Sequence, residues 1–185
     1  FLIIKYEYKS NKKTHVNLTN HSYWNLEKIK KNKIYNHELK LNSNKYLQID
    51  KDLIPTGKTN RVKNSIYDFL KFQNLGKKLN FFKNKKIDLK HKGFDITYIV
   101  KKNSRNFVGS LKNKNNNIQV NFFSNLPGVQ LYTAQNLNYK KKLFPYHGIC
   151  LETQYFPDTP NKKNFPSTLI KANKRYTCFT KIKIY

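Results

Sequence analysis

Residues 106–122, Asn-Phe-Val-Gly-Ser-Leu-Lys-Asn-Lys-Asn-Asn-Asn-Ile-Gln-Val-Asn-Phe, have the pattern of a β-hairpin. A β-rich run over 106–111 leads into the Lys/Asn stretch 112–117, which has the composition of a solvated turn. Ile118, Val120 and Phe122 then alternate with other residues at the period of a half-buried strand. This stretch therefore predicts two antiparallel strands joined by a short loop.

The same pattern extends in both directions along the chain. Ile182 and Ile184 alternate with lysines, and further β-rich runs cover residues 2–8, 15–19, 94–100, 129–133 and 149–153. Further Lys/Asn stretches, which we interpret as hairpin tips, cover residues 30–33, 83–86 and 140–142. One helix is predicted over Ser65–Leu75, from the spacing of Ile66, Phe69 and Leu70. The sequence predicts an all-β, sandwich-like unit over residues 1–185.

Length and composition exclude several classes of protein. The 185 residues suffice for one domain, and 13 Tyr and 13 Phe supply large core side chains. No apolar run approaches the ~20 residues of a membrane helix, so we predict no membrane association. Two cysteines, Cys150 and Cys178, are too few for a disulfide framework, which favours a reducing compartment and a cytoplasmic location.

The charge of the chain is large, but it does not indicate a specific nucleic-acid partner. There are 37 basic and 10 acidic residues, for a net charge of +27. Only Arg61, Arg105 and Arg175 are arginines, whereas proteins that read nucleic acids usually depend on arginine as well. The excess of Lys, Asn, Ile, Tyr and Phe is the set that A/T-rich codons encode, so we interpret the charge mainly as genome composition.

Four polar residues lie in apolar surroundings where chemistry is plausible. His21 lies in Asn-His-Ser-Tyr-Trp-Asn-Leu (20–26), among amides and aromatic rings that suit a sugar, although a structural histidine would also fit. Asp95 follows Gly93-Phe94 inside a β-rich run and is either a ligand for substrate or a turn cap. Glu152 lies in a mostly apolar strand and must face a cleft or pair with a cation. Gln130 is an amide in an apolar run.

Other chemistries lack the necessary residues. The chain has no phosphate-binding glycine loop and no nucleophile elbow. The remaining histidines show no metal-ligand spacing with either cysteine, so we predict no metal and no cofactor. Cys150 has no identifiable base in sequence, and we interpret it as a small buried hydrophobic residue.

Three separated segments together resemble the aldose 1-epimerase (galactose mutarotase) family. They are residues 20–26, Gly-Phe-Asp (93–95), and Leu-Pro-Gly-Val-Gln-Leu-Tyr (126–132) followed by Cys-Leu-Glu-Thr-Gln-Tyr-Phe-Pro-Asp (150–158). Asn161, Phe165-Pro166 and Tyr176 agree with the same family, and the resemblance covers the whole chain in the right order. Trp24 departs from it, because the family usually has Phe at that position of what we expect to be the pocket wall.

The resemblance implies a large antiparallel β-sandwich of galactose-mutarotase type and a cofactor-free reaction. That reaction interconverts the α and β anomers of free aldohexoses such as galactose and glucose. His21 corresponds to the general acid of the family and Glu152 to its general base. Asp95 and Gln130 correspond to residues that hydrogen-bond sugar hydroxyls.

The resemblance also implies that the chain is the C-terminal part of a longer domain. The family is nearly twice this length, and the chain opens with Phe1 inside an apolar segment. An Arg and a second His of the family have no counterpart here. His15 cannot replace that His, because it lies only six residues before His21 on the same segment. A sandwich divided at this point is expected to expose strand edges and apolar faces.

Three alternatives to an active mutarotase remain open at this point. A non-catalytic sugar-binding remnant of the fold would bind galactose without exchanging its anomers. A polyanion-binding protein would hold RNA or DNA at physiological salt. An epimerase acting on hexose 6-phosphates would need an arginine cluster, which three scattered arginines do not suggest.

Overall fold

Two antiparallel sheets dominate the computed structural model, which describes residues 1–29, 32–83, 91–140 and 142–185. The larger sheet has the order β1-β13-β9-β8-β3-β6 and the smaller one β11-β10-β7-β4-β5, while β12 and β2 form a separate pair. The strands are β1 (Leu2–Tyr8), β2 (Thr14–His15), β3 (His37–Leu41), β4 (Lys45–Ile49), β5 (Pro55–Arg61), β6 (Gln73–Asn74), β7 (Asp95–Ile99), β8 (Phe107–Asn113), β9 (Gln119–Ser124), β10 (Gly128–Tyr132), β11 (Cys150–Gln154), β12 (Leu169–Ile170) and β13 (Tyr176–Ile184). Helix α1 covers Leu75–Lys83, and short 3-10 turns cover Ile34–Asn36 and Thr159–Asn161.

The two sheets pack face to face around one apolar core. The larger sheet contributes side chains such as Leu111 and Phe122, and the smaller sheet contributes Tyr98 and Leu131, all of them buried in a single cluster. Because side chains alternate across a strand, the other face of each strand is left for polar residues. The all-β sandwich predicted from sequence is therefore confirmed.

The β-hairpin predicted over residues 106–122 is also confirmed. Strands β8 and β9 pair antiparallel with Leu111 opposite Val120, and a turn connects them. The expected strand over residues 15–19 is wrong beyond His15, because the chain there forms the two-residue strand β2 and then runs as a loop. Strands β3 to β5 were not predicted. Strand β5 (55–61) is polar and largely exposed, whereas β3 is buried although it contains Glu38 and Lys40.

The helix predicted over residues 65–75 is wrong, because α1 begins only at Leu75. Residues 63–72 instead form turns in which side chains hydrogen-bond to the backbone. The Ser65 hydroxyl donates to the Val62 carbonyl, and the Asp68 carboxylate accepts from the backbone N–H groups of Asn64 and Leu70. Such local side-chain bonds compete with helical ones. Phe69 is still buried, so the apolar spacing marked core residues but not a helix.

The expected Lys/Asn hairpin tips lie partly outside the described residues. This applies to residues 30–31 of the first stretch, 84–86 of the second and 141 of the third. At the start of the chain, β1 lies at the end of the larger sheet, and Leu2 and Ile3 are exposed. In the described part of the chain, no helix is both long and apolar enough to cross a membrane.

We expect His37 to make the fold sensitive to mild acid. Its imidazole is fully buried, and Nε2 accepts a hydrogen bond of 2.7 Å from the Leu26 N–H. Burial lowers the pKa of His37 from 6.5 to about 4. Between these values the unfolded chain binds a proton that the folded chain does not, so stability falls as the pH drops through this window. The loss attributable to His37 is roughly 3 kcal/mol.

Urea unfolding between pH 7 and pH 4.5 measures this loss. His37→Gln is the matched variant, because the Gln carbonyl can replace Nε2 as the acceptor but does not titrate. We expect the variant to lose distinctly less stability than the wild type over the same range. Equal losses in the two proteins would contradict the assignment.

Candidate active site

Strand register brings the predicted site residues of the smaller sheet onto one face. Gln130 lies opposite Glu152 on one side and Thr97 on the other. Tyr132 of the next row lies opposite Asp95 and Cys150. Residues two apart in a strand share a face, so the two rows lie together on the face opposite the core.

His21 reaches this face from a loop that runs alongside β11. The Thr19 hydroxyl donates to the Thr153 carbonyl at 3.0 Å. Trp24 and Ile149 exchange two backbone hydrogen bonds of 2.8 and 2.9 Å. The segment 19–24 is thus held on both sides of His21, and this fixes the position of the His21 backbone. Trp24 itself is partly buried and packs edge-on against Phe122 of the core.

The imidazole and a buried carboxylate face each other in this site. His21 Nε2 lies 3.5 Å from Glu152 Oε1. The side chain of His21 is 50% exposed, whereas that of Glu152 is 9% exposed. The imidazole packs at 5.0 Å from the ring of Tyr23 and at 6.3 Å from that of Tyr132. A solvent-accessible imidazole and a buried carboxylate therefore lie side by side, next to two aromatic rings.

Asp95 and Gln130 are joined in a short chain of hydrogen bonds. Gln130 Nε2 donates to Asp95 Oδ1 at 2.6 Å. The hydroxyl of the buried Thr97 donates to Gln130 Oε1. Since the Asp95 carboxylate oxygen accepts, the Gln130 NH₂ group must face Asp95, and the Thr97 hydroxyl holds this orientation by donating to the carbonyl end of the amide. Asp95 is therefore held at the sheet face and does not act as the turn cap considered from the sequence.

Burial and mutual repulsion act on the two carboxyl groups. Burial raises the pKa of Glu152, the positive charge of His21 opposes this, and the charge of Asp95 adds to it. Burial also raises the pKa of Asp95, against the hydrogen bond from Gln130 and the attraction of His21. A carboxylate held in this way is a stronger base than an exposed one.

Cys150 is the buried neighbour of this pair. Its Sγ lies 3.5 Å from His21 Nδ1, and the residue is fully buried. Burial, with the charges of Glu152 and Asp95, raises the pKa of the thiol well above its usual range. The group is protonated near neutrality and is not an activated nucleophile.

Gly93 leaves room for two side chains that lie close to the backbone near Asp95. A Cβ atom at this position would lie 2.5 Å from Thr133 Oγ1 and 2.6 Å from Gln135 Oε1. Sequence reasoning did not single out Thr97, Tyr23 or Tyr132. Tyr23 and Tyr132 lie inside the motifs quoted above, but the position of Thr97 follows only from strand pairing.

The fold matches solved structures of galactose-mutarotase type. An aldose epimerase homologue from C. elegans superposes with a TM-score of 0.86 at 20% identity, over 99% of this chain and 55% of the other. A galactose 1-epimerase from Lactobacillus acidophilus gives 0.81 at 21% identity, over 99% and 52%. This protein thus has a galactose-mutarotase-like β-sandwich, with an imidazole–carboxylate pair on the face of its smaller sheet that points away from the core.

Sequence comparison gives the family. The family model for aldose 1-epimerase matches residues 2–183, and the chain therefore belongs to the aldose 1-epimerase family. A human galactose mutarotase is 34% identical over 95% of this chain and 51% of its own length. An aldose 1-epimerase from Haemophilus influenzae is 30% identical over 97% and 54%. The chain spans about half the length of the curated relatives it matches.

Proposed function

We propose that the protein is an aldose 1-epimerase that interconverts the α and β anomers of free aldohexoses such as galactose and glucose. The observation that carries this proposal is the His21–Glu152 pair, with Nε2 and Oε1 3.5 Å apart beside the rings of Tyr23 and Tyr132. Mutarotation needs one group that takes a proton and another that gives one, and this pair supplies both. Family membership supports the same reaction class.

The proposed reaction begins with Glu152 as the base. Glu152 removes the proton of the C1 hydroxyl while protonated His21 donates a proton to the ring oxygen. The bond between C1 and the ring oxygen breaks, its electron pair goes to that oxygen, and C1 becomes an aldehyde. Rotation about C1–C2 presents the other carbonyl face, and ring closure then reverses both proton transfers. No covalent intermediate and no cofactor take part in this scheme.

Substrate binding is assigned to the opposite side of the site. Asp95 and Gln130 present carboxylate and amide groups to sugar hydroxyls, and their mutual hydrogen bond of 2.6 Å fixes their spacing. The rings of Tyr23 and Tyr132, packed edge-on with their centroids 6.4 Å apart, offer apolar surface to the sugar C–H groups. His21 is half exposed and can move aside as the sugar enters.

We also propose a cytoplasmic location and a sugar as the small-molecule substrate. Cys150 and Cys178 are both buried and free, which suits a reducing compartment. No specific nucleic-acid or membrane partner is proposed.

Polarimetry on the purified chain with freshly dissolved α-D-galactose tests the proposed function. We expect faster decay of the optical rotation than in buffer alone, in proportion to protein concentration. The absence of any acceleration by folded protein would overturn the proposal for this chain.

A non-catalytic sugar-binding remnant is the second candidate, because the chain spans only about half of its relatives. Isothermal titration calorimetry with galactose distinguishes the two. Saturable binding without acceleration would establish the remnant, and binding with acceleration would exclude it.

We expect Thr97→Val to weaken sugar binding while slowing the chemical step very little. Val fits the buried position, but it removes the hydroxyl that orients the Gln130 amide. The loss of a hydrogen bond worth roughly 1 kcal/mol is expected to raise KM about fivefold, with kcat nearly unchanged. Steady-state polarimetry at varied galactose concentration measures KM and kcat separately.

Thr97→Ser is the matched control, since it keeps the hydroxyl and removes only a methyl group. The serine variant should have a KM close to that of the wild type. A serine variant as impaired as the valine variant would show that packing, and not amide orientation, is responsible.

A further inference from the structure

Three different metal-ligand types meet at the candidate active site. His21, Cys150 and Glu152 each offer one ligand atom, and these atoms all lie within 4.8 Å of one another. Within residues 1–29, 32–83, 91–140 and 142–185 this is the one group of three or more His, Cys, Asp or Glu side chains so arranged. A thiolate, an imidazole and a carboxylate form a typical donor set for zinc.

The spacing of these atoms suits a tetrahedral cation. With Zn–S near 2.3 Å and Zn–N near 2.0 Å, adjacent sulfur and nitrogen ligands of a tetrahedron lie about 3.5 Å apart. Cys150 Sγ and His21 Nδ1 already lie 3.5 Å apart. Glu152 Oε1 lies 3.5 Å from the other ring nitrogen, Nε2, so a single cation requires the imidazole or the carboxylate to move. Closing the trio from spacings of at most 4.8 Å to the tetrahedral spacing takes up to roughly 1.3 Å. The fourth position would open toward solvent on the exposed side of His21.

The surroundings favour a divalent cation as well. Glu152 is buried and Asp95 is half-buried on the same sheet face, so their negative charges repel each other. A cation between Glu152 and a Cys150 thiolate would offset this repulsion, with the thiol proton released to solvent. Sequence spacing could not reveal the site, because His21 lies about 130 residues from the other two ligands.

We propose that His21, Cys150 and Glu152 form a site for a borderline-soft divalent cation such as Zn²⁺, and that the bound cation inhibits the enzyme. Binding itself is independent of the proposed function, whereas inhibition rests on it. The cation engages both the acid and the base, and it occupies the place where the anomeric centre would enter. Sugar and metal therefore compete.

Cobalt absorption tests the binding. Co²⁺ is added to the full chain in a thiol-free buffer, because a cobalt–thiolate bond gives an intense near-ultraviolet charge-transfer band. We expect this band at about one Co²⁺ per chain, and we expect Zn²⁺ to abolish it. The band should be lost in Cys150→Ser and kept in Cys178→Ser, which removes the other buried free thiol. A missing band in the wild type, or a band that survives Cys150→Ser, would overturn the proposal.

The mutarotation assay tests the inhibition separately. Zn²⁺ should lower the polarimetric rate of the wild type, and saturating galactose should raise the Zn²⁺ concentration needed. Cys150→Ser should be at least about tenfold less sensitive to Zn²⁺ relative to its own metal-free rate, whereas Cys178→Ser should match the wild type. Equal sensitivity in all three proteins would overturn the inhibitory role. A chain without activity would contradict the proposed function but leave the cobalt result decisive for the metal site.

Discussion

Glu152→Gln is expected to lower the mutarotation rate by about 10²–10⁴-fold, the usual contribution of a well-placed general base. The amide has nearly the same shape as the carboxylate and can occupy the same buried position in β11. It cannot accept a proton at neutral pH, so the step that opens the ring loses its base. Polarimetry with α-D-galactose measures the loss directly.

Glu38→Gln provides the matched control for this substitution. Glu38 is likewise buried, at 8% exposure, but it lies on β3 in the other sheet. Its carboxylate pairs with Lys112 at 3.1 Å and with Lys114 at 2.8 Å. We expect this variant to lose stability but to keep its rate per folded molecule. A Glu152→Gln protein that is folded and fully active would remove Glu152 from the mechanism.

The pH profile gives a second readout for Glu152. The base works only when ionised, so kcat/KM must fall as the pH drops through its pKa. Because burial raises this pKa above the ordinary 4.5, the acidic limb should lie at higher pH than for an exposed glutamate. An acidic limb centred below 4.5 would contradict the assignment.

Polar residues in apolar segments could be identified from the sequence, whereas most of the distances and contacts between them could not. Glu152 stood out because a carboxylate in an apolar strand needs a partner, and the structure provides His21 as that partner. The hairpin 106–122 was predictable because its period and its turn chemistry agree. Both features are local, so a single sequence contains them.

Long-range pairing explains what sequence reasoning missed. Thr97 became a site residue only because β7 pairs with β10 in a register that puts it opposite Gln130. The proposed cation site of His21, Cys150 and Glu152 depends on the same kind of pairing. The backbone hydrogen bonds between Trp24 and Ile149 place His21 beside Cys150. Neither relation leaves a signal in local spacing. The helix expected over 65–75 failed for the opposite reason, because local side-chain bonds to the backbone outweighed a plausible apolar period.

Replacing the acid should be nearly as damaging as replacing the base. We expect His21→Asn to lower the rate by about 10²–10⁴-fold, because Asn can hydrogen-bond but cannot deliver a proton to the ring oxygen. His15→Asn is the control on the same segment. His15 is exposed, and its Nδ1 lies 2.8 Å from Thr168 Oγ1, a contact that Asn can replace. Equal losses in the two variants would indicate disruption of the loop rather than loss of the acid.

The pH dependence of the residual activity of His21→Asn should report the pKa of Glu152. The charge of His21 lowers the pKa of Glu152 against the effect of burial. Without the imidazole that attraction is lost, so the pKa of Glu152 should rise and the acidic limb of the kcat/KM profile should move to higher pH. Removing an acid that acted independently of Glu152 would lower the rate without moving this limb. A shifted limb together with a reduced rate would therefore show that the two groups act as one electrostatic unit.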